Sequence, residues 1–243
     1  MRRAGRIAAA ARQEAGKMVK VGETTYNINK RIHDFIVARG AKSVFLGYKG
    51  YPASVCMSIN EEVIHGIPSS RRLLTGDLVS IDIGVIKDGY IGDCAATFIV
   101  GAGSDESEKL VAVTRRCFFA GIEFARVGYR VSDISRAIQR CAEDHGYSVV
   151  REYVGHGVGT KLHEPPEVPN FVEVPRKTAD PRLLPGMTLA VEPMVNEGAA
   201  EITVLSDKWT VVTADGRNSA HYENTILITK DDPEILTVCE GVP

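Results

Sequence analysis

The amino-acid sequence predicts an α+β fold made of two related halves, and three observations point to it. Segments with helical periodicity come in two pairs, near the N-terminus and at 105–145, and β-rich runs accompany them. The stretch LTGDLVSID at 74–82 matches LPGMTLAVE at 184–192, with an acidic residue six positions after each glycine. No linker or low-complexity segment divides the 243 residues, so one domain is expected. Two halves that each direct a carboxylate to a shared centre would explain the repeat; chance similarity is the alternative.

The N-terminal residues are predicted to form an Ala-rich first helix. An Arg-rich transit peptide is the alternative interpretation. A secretory signal is not expected, because the apolar stretch ends before Arg12 and is shorter than the ~7–15 residues that such a signal needs. A second helix is predicted from an N-cap at Thr24 or Thr25 to a stop at Arg39-Gly40.

Strands and two further helices are predicted in the following order. The run SVCMSIN is strand-like, and LVSIDIGVI and YIGDCAATFIV read as a hairpin joined at Lys87-Asp88-Gly89. Residues 105–127 read as a long amphipathic helix, and 132–145 as another helix with Ser132 as its N-cap. The remaining chain reads as strand and loop, punctuated by glycine and proline.

Composition excludes several classes of function. A net charge of −2 and a pI near 6.3 give no basic surface for nucleic acid. No apolar run approaches the ~20 residues of a membrane helix. Five cysteines without a CxxC pair argue against a disulfide framework or a zinc ribbon, and they suit a reducing compartment.

Several acidic residues lie in or beside predicted buried strands. Asp82 lies in VSIDIGVI, Glu192 in LAVEPMV, and Glu223 directly before NTILIT. A carboxylate buried in a strand is costly unless it is paired or bound to a ligand, so a salt-bridged structural acid is the alternative for any one of them. If the hairpin loop has two or four residues, Asp93 lies opposite Gly84 and shares a face with Asp82, within ~7–8 Å. A cation would remove the repulsion between two such anions, whereas an odd-length loop would separate them.

One histidine completes a candidate metal site. His156 lies between two glycines in GHGVGTKLHEPP, where a hydrogen-bonded structural histidine is the alternative. Four carboxylates and one neutral imidazole carry four negative charges, which two divalent ions would neutralise. An oxygen-rich set with one nitrogen favours Mn, Fe, Co or Zn.

Five motifs carry a resemblance to a known family. In order and spacing the chain resembles type I methionine aminopeptidases from about residue 2 to 237, in the motifs VIHGIP, SIDIGVIKDGYIGD, GHGVGTKLHEPP, LAVEPMVNEG and SAHYENTIL. The resemblance implies the pita-bread fold, with two halves about a pseudo-twofold axis, and one catalytic domain spanning 1–243. It also implies removal of the initiator methionine from nascent proteins with small second residues. Type II relatives carry a helical insertion between the His163 region and the Glu192 strand, which the 28 residues between them (164–191) do not accommodate.

The resemblance also implies the role of each site residue. The metal ligands would be Asp82, Asp93, His156, Glu192 and Glu223, with Asp93 and Glu223 bridging both ions. A metal-bridged hydroxide would attack the scissile carbonyl, with Glu192 relaying the proton. His65 and His163 would contact the substrate amide and stabilise the tetrahedral intermediate. The free α-amine would bind the second metal, which restricts cleavage to the N-terminal residue.

A methionine pocket is implied in the same way. Tyr48, Tyr51, Cys56 and Trp209 would line it, with His65 at its edge; an ordinary aromatic core patch is the alternative. Two positions depart from the familiar bacterial pattern: Phe45 stands where a small cysteine is frequent, and Leu162 replaces an aromatic residue. These two changes are interpreted as a compensating exchange of bulk across one pocket.

Other polar residues have weaker assignments. Asn60 and Ser219 match positions that hold a monovalent cation in some relatives. His221 shares a face with Glu223 by strand parity and is a candidate decoy ligand. His33 and His145 read as structural residues on helices.

The expected location is the cytoplasm of a bacterial or organellar system, since no zinc-finger extension is recognised. Nascent polypeptide N-termini are the expected partners, with the ribosome as a further candidate and with no nucleic acid or membrane partner. The nearest rival functions are those of an X-Pro aminopeptidase, a prolidase or a creatinase. A catalytically inactive relative that acts as a binding module is a rival of another class.

Overall fold

The computed structural model describes residues 1–173 and 180–239, so parts of the predicted domain at 174–179 and 240–243 lie outside the described residues. The described residues form four α-helices and one short 3-10 turn: α1 (Arg2–Met18), α2 (Thr25–Val37), the turn Tyr48–Gly50, α3 (Asp105–Ile122) and α4 (Val131–Glu143). Every helix within these ranges is too short or too polar to cross a membrane.

Fifteen strands lie in the remaining described chain. Their bounds are β1 (Lys42–Ser43), β2 (Cys56–Ile59), β3 (Glu62–Ile64), β4 (Leu78–Lys87), β5 (Tyr90–Ile99), β6 (Ser148–Val149), β7 (Gly155–Gly157), β8 (Glu164–Val168), β9 (Thr188–Val191), β10 (Met194–Asn196), β11 (Ile202–Val204), β12 (Val211–Thr213), β13 (Ser219–His221), β14 (Asn224–Leu227) and β15 (Glu234–Ile235). This mixture of helices and strands confirms the predicted α+β class.

Two larger sheets form the frame of the molecule. In the first, β4 pairs with β5 on one edge and with β1 and β2 on the other. The second has the order β15-β14-β9-β7-β8. Two three-stranded sheets, β13-β10-β6 and β11-β12-β3, complete the framework.

The internal repeat of the sequence is a repeat of structure. Gly76 and Gly186 adopt nearly the same positive φ, 90° and 91°, which favours glycine because it has no Cβ. Their N–H groups donate to equivalent carbonyls, those of Val100 and Ile228. Isolated bridges join Thr24 to Arg72 and Arg130 to Arg182, one in front of each repeat. The two halves are therefore related as predicted, and the pita-bread fold is confirmed.

Each half has its own hydrophobic core. In the first half, α2 buries one face through Ile28, Ile32 and Ile36, which pack with residues of β4. In the second half, Phe118 of α3 and Ile138 of α4 lie in a separate cluster with β9 and β14. Burial of such side chains stabilises each half by ~1.5–3 kcal/mol per large residue.

The alanine content of α1 permits close packing on the first sheet. Ala4, Ala8, Ala11 and Ala15 are fully buried. A Cβ at Gly92 of β5 would lie 2.6 Å from the Cα of Gly5, so helix and strand approach each other more closely than larger side chains allow. The structure therefore contains the predicted helix.

The predicted N-cap of α2 is confirmed, because the Asn27 N–H donates to Thr24 Oγ1 at 3.2 Å. Two other predicted helix boundaries are wrong. Helix α3 ends at Ile122 rather than at 127, because the chain tightens into i→i+3 bonds at its C-terminus. Ser132 is not the N-cap of α4. That position is Arg130, whose N–H donates to Asp133, while the Ser132 hydroxyl donates to Asp180, a tertiary partner that local sequence does not reveal.

Candidate metal centre and binding cavity

The hairpin between β4 and β5 brings two aspartates onto one face. Its loop is Asp88-Gly89, with positive φ at both residues (51° and 80°), as a type I′ turn requires. The resulting register pairs Gly84 with Asp93 and Asp82 with Ala95. Asp82 and Asp93 are therefore diagonal neighbours, as the two-residue loop predicts.

The second half supplies the other candidate ligands. His156 lies in the middle of β7 and pairs with Ala190 of β9, and Glu192 directly follows β9. Glu223 lies between β13 and β14. The Nε2 atom of His156 lies 3.4 Å from Glu192 Oε1, so these two side chains of the second half are neighbours.

His221 lies beside the same carboxylates. Its Nε2 atom is 4.0 Å from Glu192 Oε2 and 4.0 Å from Glu223 Oε2, and the residue is 2% exposed. The parity of the strand correctly placed His221 on the face of Glu223.

The carboxyl groups destabilise one another's charged forms. Burial raises the pKa of Asp82 well above its usual range, and the charges of Asp93 and Glu192 raise it further. Burial likewise raises the pKa of Glu192 and of Glu223, with the charge of Asp93 as the next cause in both. Burial raises the pKa of Asp93 to about 7. Such a cluster carries its full charge at neutral pH only when a cation compensates it.

The buried polar atoms of this cluster fit a metal ion. Among the described residues, Asp82 Oδ1, Asp93 Oδ1, Glu223 Oε1 and His221 Nε2 are buried without a hydrogen-bond partner. Asp93, His156 and Glu223 each offer a ligand atom, and these atoms all lie within 4.8 Å of one another. Buried polar groups are ordinarily paired or bound to metal. The donor set therefore fits a divalent cation.

His65 has a strained backbone at the edge of the cavity. Its φ is +60°, which is unusual for a residue other than glycine and is typical of functional sites. Burial lowers its pKa to about 4, so the imidazole is neutral at neutral pH. Its ring packs edge-on against Tyr153 and Trp209, with centroids 5.5 and 6.1 Å away.

His163 is held at the cavity mouth by a tyrosine. The Tyr48 hydroxyl lies 2.8 Å from its Nδ1, and its ring centroid is 4.3 Å from that of His156. Partial burial of the ring lowers the pKa of His163, and the nearby charge of Lys49 lowers it further. This histidine is neutral as well.

One cavity of about 300 Å³ is lined by all the residues predicted as metal ligands, catalytic residues or methionine-pocket residues. Its lining includes Phe45, Tyr48, Tyr51, Cys56, His65, Asp82, Asp93, His156, Leu162, His163, Glu192, Trp209 and Glu223. Phe45 and Leu162 belong to the same hydrophobic cluster, as a compensating exchange of bulk requires. The aromatic wall is ordered by the Tyr51 hydroxyl, which donates to the Gly66 carbonyl at 2.8 Å, and by edge-on packing of Tyr51 on Trp209 at 5.1 Å.

Four lining residues were not predicted: Lys49, Ile64, Tyr153 and Val154. Lys49 lies between two predicted pocket tyrosines, and Tyr153-Val154 directly precedes the GHG motif. Proximity to the motifs is thus the only signal that could have revealed them. A larger cavity of about 660 Å³ also touches Val154, but its lining contains none of the predicted site residues.

The remaining assignments lie away from this cavity. Ser219 donates its N–H to the Asn60 carbonyl at 2.9 Å, and Asn60 has a φ of +60°. His33 bonds Ser54 at 2.7 Å, and His145 bonds the Cys141 carbonyl at 2.7 Å, as expected for structural histidines.

Known proteins resemble this chain over nearly its full length. The sequence profile of metallopeptidase family M24 matches residues 1–230. A curated methionine aminopeptidase of Clostridium acetobutylicum is 50% identical over 241 residues, covering 99% of this chain and 95% of the relative. The methionine aminopeptidase of Escherichia coli K12 is 44% identical over 98% of this chain and 90% of its own length.

Solved structures of metallopeptidases are also similar to this chain. A crystal structure of methionine aminopeptidase from Thermotoga maritima has a TM-score of 0.94 and 42% identity, covering 98% of this chain and 95% of the other. A prolidase from Pyrococcus furiosus has a TM-score of 0.78 at 20% identity and is covered over 63% of its length, which shows a shared fold alone.

Proposed function

The chain belongs to metallopeptidase family M24, and we propose that it is a methionine aminopeptidase that removes the initiator methionine from nascent polypeptides. The proposal covers residues 1–243 as a single catalytic domain of type I. The observation that carries it is that four carboxylates and His156, two further histidines with lowered pKa values and an aromatic wall line one cavity. That combination provides a hydrolytic centre beside a pocket for one apolar side chain.

We infer that Asp82, Asp93, His156, Glu192 and Glu223 would hold two divalent ions of Co, Mn, Fe or Zn. The assignment is supported by the neighbouring ligand atoms of Asp93, His156 and Glu223. The unsatisfied buried oxygens of Asp82, Asp93 and Glu223 support it as well. When bound, such ions lower the pKa of a water molecule and polarise the scissile carbonyl.

Glu192 is the proton carrier in this proposal. In the metal-free protein, burial and then the charge of Asp93 raise the pKa of its carboxyl group, so in its ionised form it is a stronger base than an ordinary glutamate. It takes the proton from the attacking water and delivers it to the leaving amine. Its Oε1 atom lies 3.4 Å from Nε2 of His156, another proposed ligand.

His65 and His163 act as neutral hydrogen-bond donors to the substrate amide and to its tetrahedral intermediate. Burial keeps the pKa of His65 low, and partial burial does the same for His163. When the Tyr48 hydroxyl donates to Nδ1 of His163, the proton of that ring resides on Nε2. A donor fixed in this way stabilises developing negative charge without reorganisation.

Substrate selection follows from the shape of the cavity. A flexible thioether fits the wall formed by Tyr48, Tyr51, Cys56, Trp209 and His65, where sulfur–ring contacts are favourable. Phe45 and Leu162 complete this wall. We propose small second residues, Gly, Ala or Ser, because the scissile bond must approach the carboxylate cluster.

The other elements of the proposal concern the surroundings of the enzyme. It acts on nascent N-termini in a bacterial or organellar cytoplasm, with the ribosome as a candidate contact. A monovalent cation near Asn60 and Ser219 is proposed on the positive φ of Asn60 and its bond to Ser219.

A peptide panel tests the proposal. Met-Ala-Ser should be cleaved efficiently, whereas Met-Lys and Leu-Ala-Ser should be poor substrates. Chelation should abolish activity, and added Co, Mn or Fe should restore it. Full activity in metal-stripped protein would contradict a metal-dependent mechanism, and equal cleavage of Leu or Phe would indicate a broader aminopeptidase.

The same panel separates the rival functions. Preference for X-Pro peptides would replace the methionine assignment by a prolidase-like one. Metal binding without cleavage of any peptide would favour a non-catalytic binding protein. The full set of proposed ligand and catalytic residues in one cavity supports the enzyme over the binding module.

A further inference from the structure

The two halves of the fold meet in a short seam beneath the proposed metal centre. Strand β5 of the first half runs along the segment 221–225 of the second half. At the middle of the seam, the Glu223 N–H donates to the Ala95 carbonyl at 3.0 Å, and the Ala95 N–H donates to the Glu223 carbonyl at 3.2 Å. The Arg12 guanidinium of α1 donates to both carbonyls, at 3.1 and 2.9 Å.

On either side of this central pair, a threonine hydroxyl takes the place of hydrogen bonds between the two backbones. The Asp93 N–H donates to Thr225 Oγ1 at 2.9 Å, and the same hydroxyl donates to the Asp93 carbonyl at 2.9 Å. At the other end, the His221 N–H donates to Thr97 Oγ1 at 2.9 Å, and Thr97 donates to the His221 carbonyl at 3.0 Å. Each hydroxyl therefore satisfies both backbone groups of the facing residue.

The two threonines occupy equivalent positions in the two halves. Thr97 pairs with Ser80, which lies four residues after Gly76, and Thr225 pairs with Ala190, which lies four residues after Gly186. The seam thus has the twofold character of the whole fold. Both threonines are buried, with 8% and 0% of their surface exposed.

The backbone of Thr225 is engaged elsewhere, so its side chain alone reaches Asp93. The Thr225 N–H donates to Thr237 Oγ1 at 3.1 Å, and its carbonyl accepts from the Leu236 N–H at 2.8 Å. Loss of the hydroxyl would leave the buried N–H and carbonyl of Asp93 without these bonds. Buried polar groups without a hydrogen-bond partner destabilise the folded protein.

These contacts bear on the metal centre because the seam carries two of its proposed ligands. Asp93 and Glu223 come from different halves, yet their ligand atoms lie within 4.8 Å of each other and of His156. More than a hundred residues of chain separate Asp93 from Glu223. The two threonine contacts beside them likewise join residues that are 132 and 124 positions apart. Their separation depends on how the halves are held together.

We propose that Thr225 and Thr97 are positioning residues that set the spacing of Asp93 and Glu223 and thereby the affinity of the site for divalent metal. This inference rests on the proposed function, which supplies the metal-binding role of those carboxylates. Thr225 acts directly on the backbone of Asp93. Thr97 acts on the backbone of His221, two residues before Glu223, and its effect is smaller.

Metal retention by the full-length, Mn²⁺-loaded protein tests the proposal. Wild type, Thr225→Val, Thr225→Ser and Thr97→Val are equilibrated against a chelator series, and the retained Mn²⁺ is measured by elemental analysis. Thr225→Val should bind Mn²⁺ about 10–100-fold more weakly, the range expected for loss of a group that supports metal ligands. Thr97→Val should show a smaller loss, and Thr225→Ser, which keeps the hydroxyl, should retain metal as wild type does.

Thr114→Val is the matched control. Thr114 is also buried, and its hydroxyl donates to the Leu110 carbonyl at 2.8 Å within α3, so this bond is local to one helix and does not join the two halves. Urea unfolding of the chelated proteins measures the stability of each variant. Thr114→Val should lose stability without a change in metal affinity.

Each remaining outcome of the metal-retention experiment supports or overturns a stated proposal. Equal Mn²⁺ retention by Thr225→Val and wild type would overturn the inference, as would an equal loss of retention by Thr114→Val. If Thr225→Val does not fold, wild-type retention by Thr97→Val would overturn it, and weakened retention beside an unaffected Thr225→Ser would support it. Failure of wild type itself to retain Mn²⁺ would instead contradict the proposed function.

Discussion

The hydroxyl of Tyr48 lies 2.8 Å from Nδ1 of His163 and joins the 3-10 turn of the first half to the loop after β7 of the second. A residue of the proposed methionine pocket thereby orients a proposed catalytic residue. Their rings lie 5.6 Å apart and are tilted by 42°. In the proposed mechanism, this one hydrogen bond would couple binding of the substrate side chain to stabilisation of the intermediate.

Loss of this bond should reduce turnover without removing metal. Tyr48→Phe keeps the ring but frees the His163 imidazole to rotate and to change its tautomer. A hydrogen bond worth about 0.5–1.5 kcal/mol predicts a ~3- to 10-fold fall in kcat/KM. Steady-state kinetics on Met-Ala-Ser and metal analysis check this, with Tyr26→Phe on the exposed face of α2 as control. An unchanged kcat/KM would show that Tyr48 does not position His163.

Removal of either proposed amide-binding histidine should have a larger effect. His65→Ala and His163→Ala should each cut kcat by ~10²–10³, because a donor to developing negative charge is lost. Metal content should stay near that of wild type, since neither residue belongs to the proposed ligand set. A variant that loses its metal instead would show that a ligand had been taken for a catalytic residue.

Asp82→Asn should weaken metal binding more than it harms the metal-free fold. Burial and the charges of Asp93 and Glu192 raise the pKa of Asp82, so the wild-type carboxylate is electrostatically unfavourable without a cation. Chelator titration and urea unfolding of the metal-free protein measure the two effects separately. A markedly destabilised metal-free variant would favour a structural salt-bridging role for Asp82.

Metal affinity should rise as the pH increases from 5 through neutrality. The pKa of Asp93 is raised to about 7 in the metal-free protein, so below pH 7 this group holds a proton that metal must displace. His156, whose pKa is lowered to about 4, is already neutral between pH 5 and 7 and releases none. Affinity therefore falls as the pH drops below 7. Calorimetric titration in buffers of different ionisation enthalpy should detect proton release at pH 6, and its absence there would contradict a protonated cluster.

Gly84 should influence the recognition of methionine although it does not line the cavity. A Cβ at this position would lie 2.7 Å from Cε1 of Phe45 and closer still to Val44, so Gly84→Ala must displace the Phe45 ring. We expect a higher KM for Met-Ala-Ser with little change in metal content. Adding Phe45→Leu should make room for the new methyl group and recover part of the loss. Equal KM values for Gly84→Ala and wild type would mean that the ring position does not matter.

Much of the site could be predicted from local sequence, because strand alternation and loop length determine which side chains share a face. Strand alternation together with a two-residue Asp-Gly loop leaves one register for the hairpin, and that register alone places Asp82 and Asp93 on one face. Parity in β13 and the following residues likewise placed His221 beside Glu223. The repeated pattern at 74–82 and 184–192 predicted two related halves from the sequence, and Gly76 and Gly186 adopt nearly the same positive φ in the structure.

By itself the sequence determined these registers, faces and halves, because each follows from the geometry of a few consecutive residues. Only the tertiary structure decided which atoms meet where the halves join: Arg12 on the Glu223 carbonyl, Thr225 on the backbone of Asp93, and Tyr48 on His163. These pairs lie 211, 132 and 115 residues apart, and no short-range periodicity connects them. The packing of two separate hydrophobic cores sets their distances, since each core fixes the position of its own sheet at the seam.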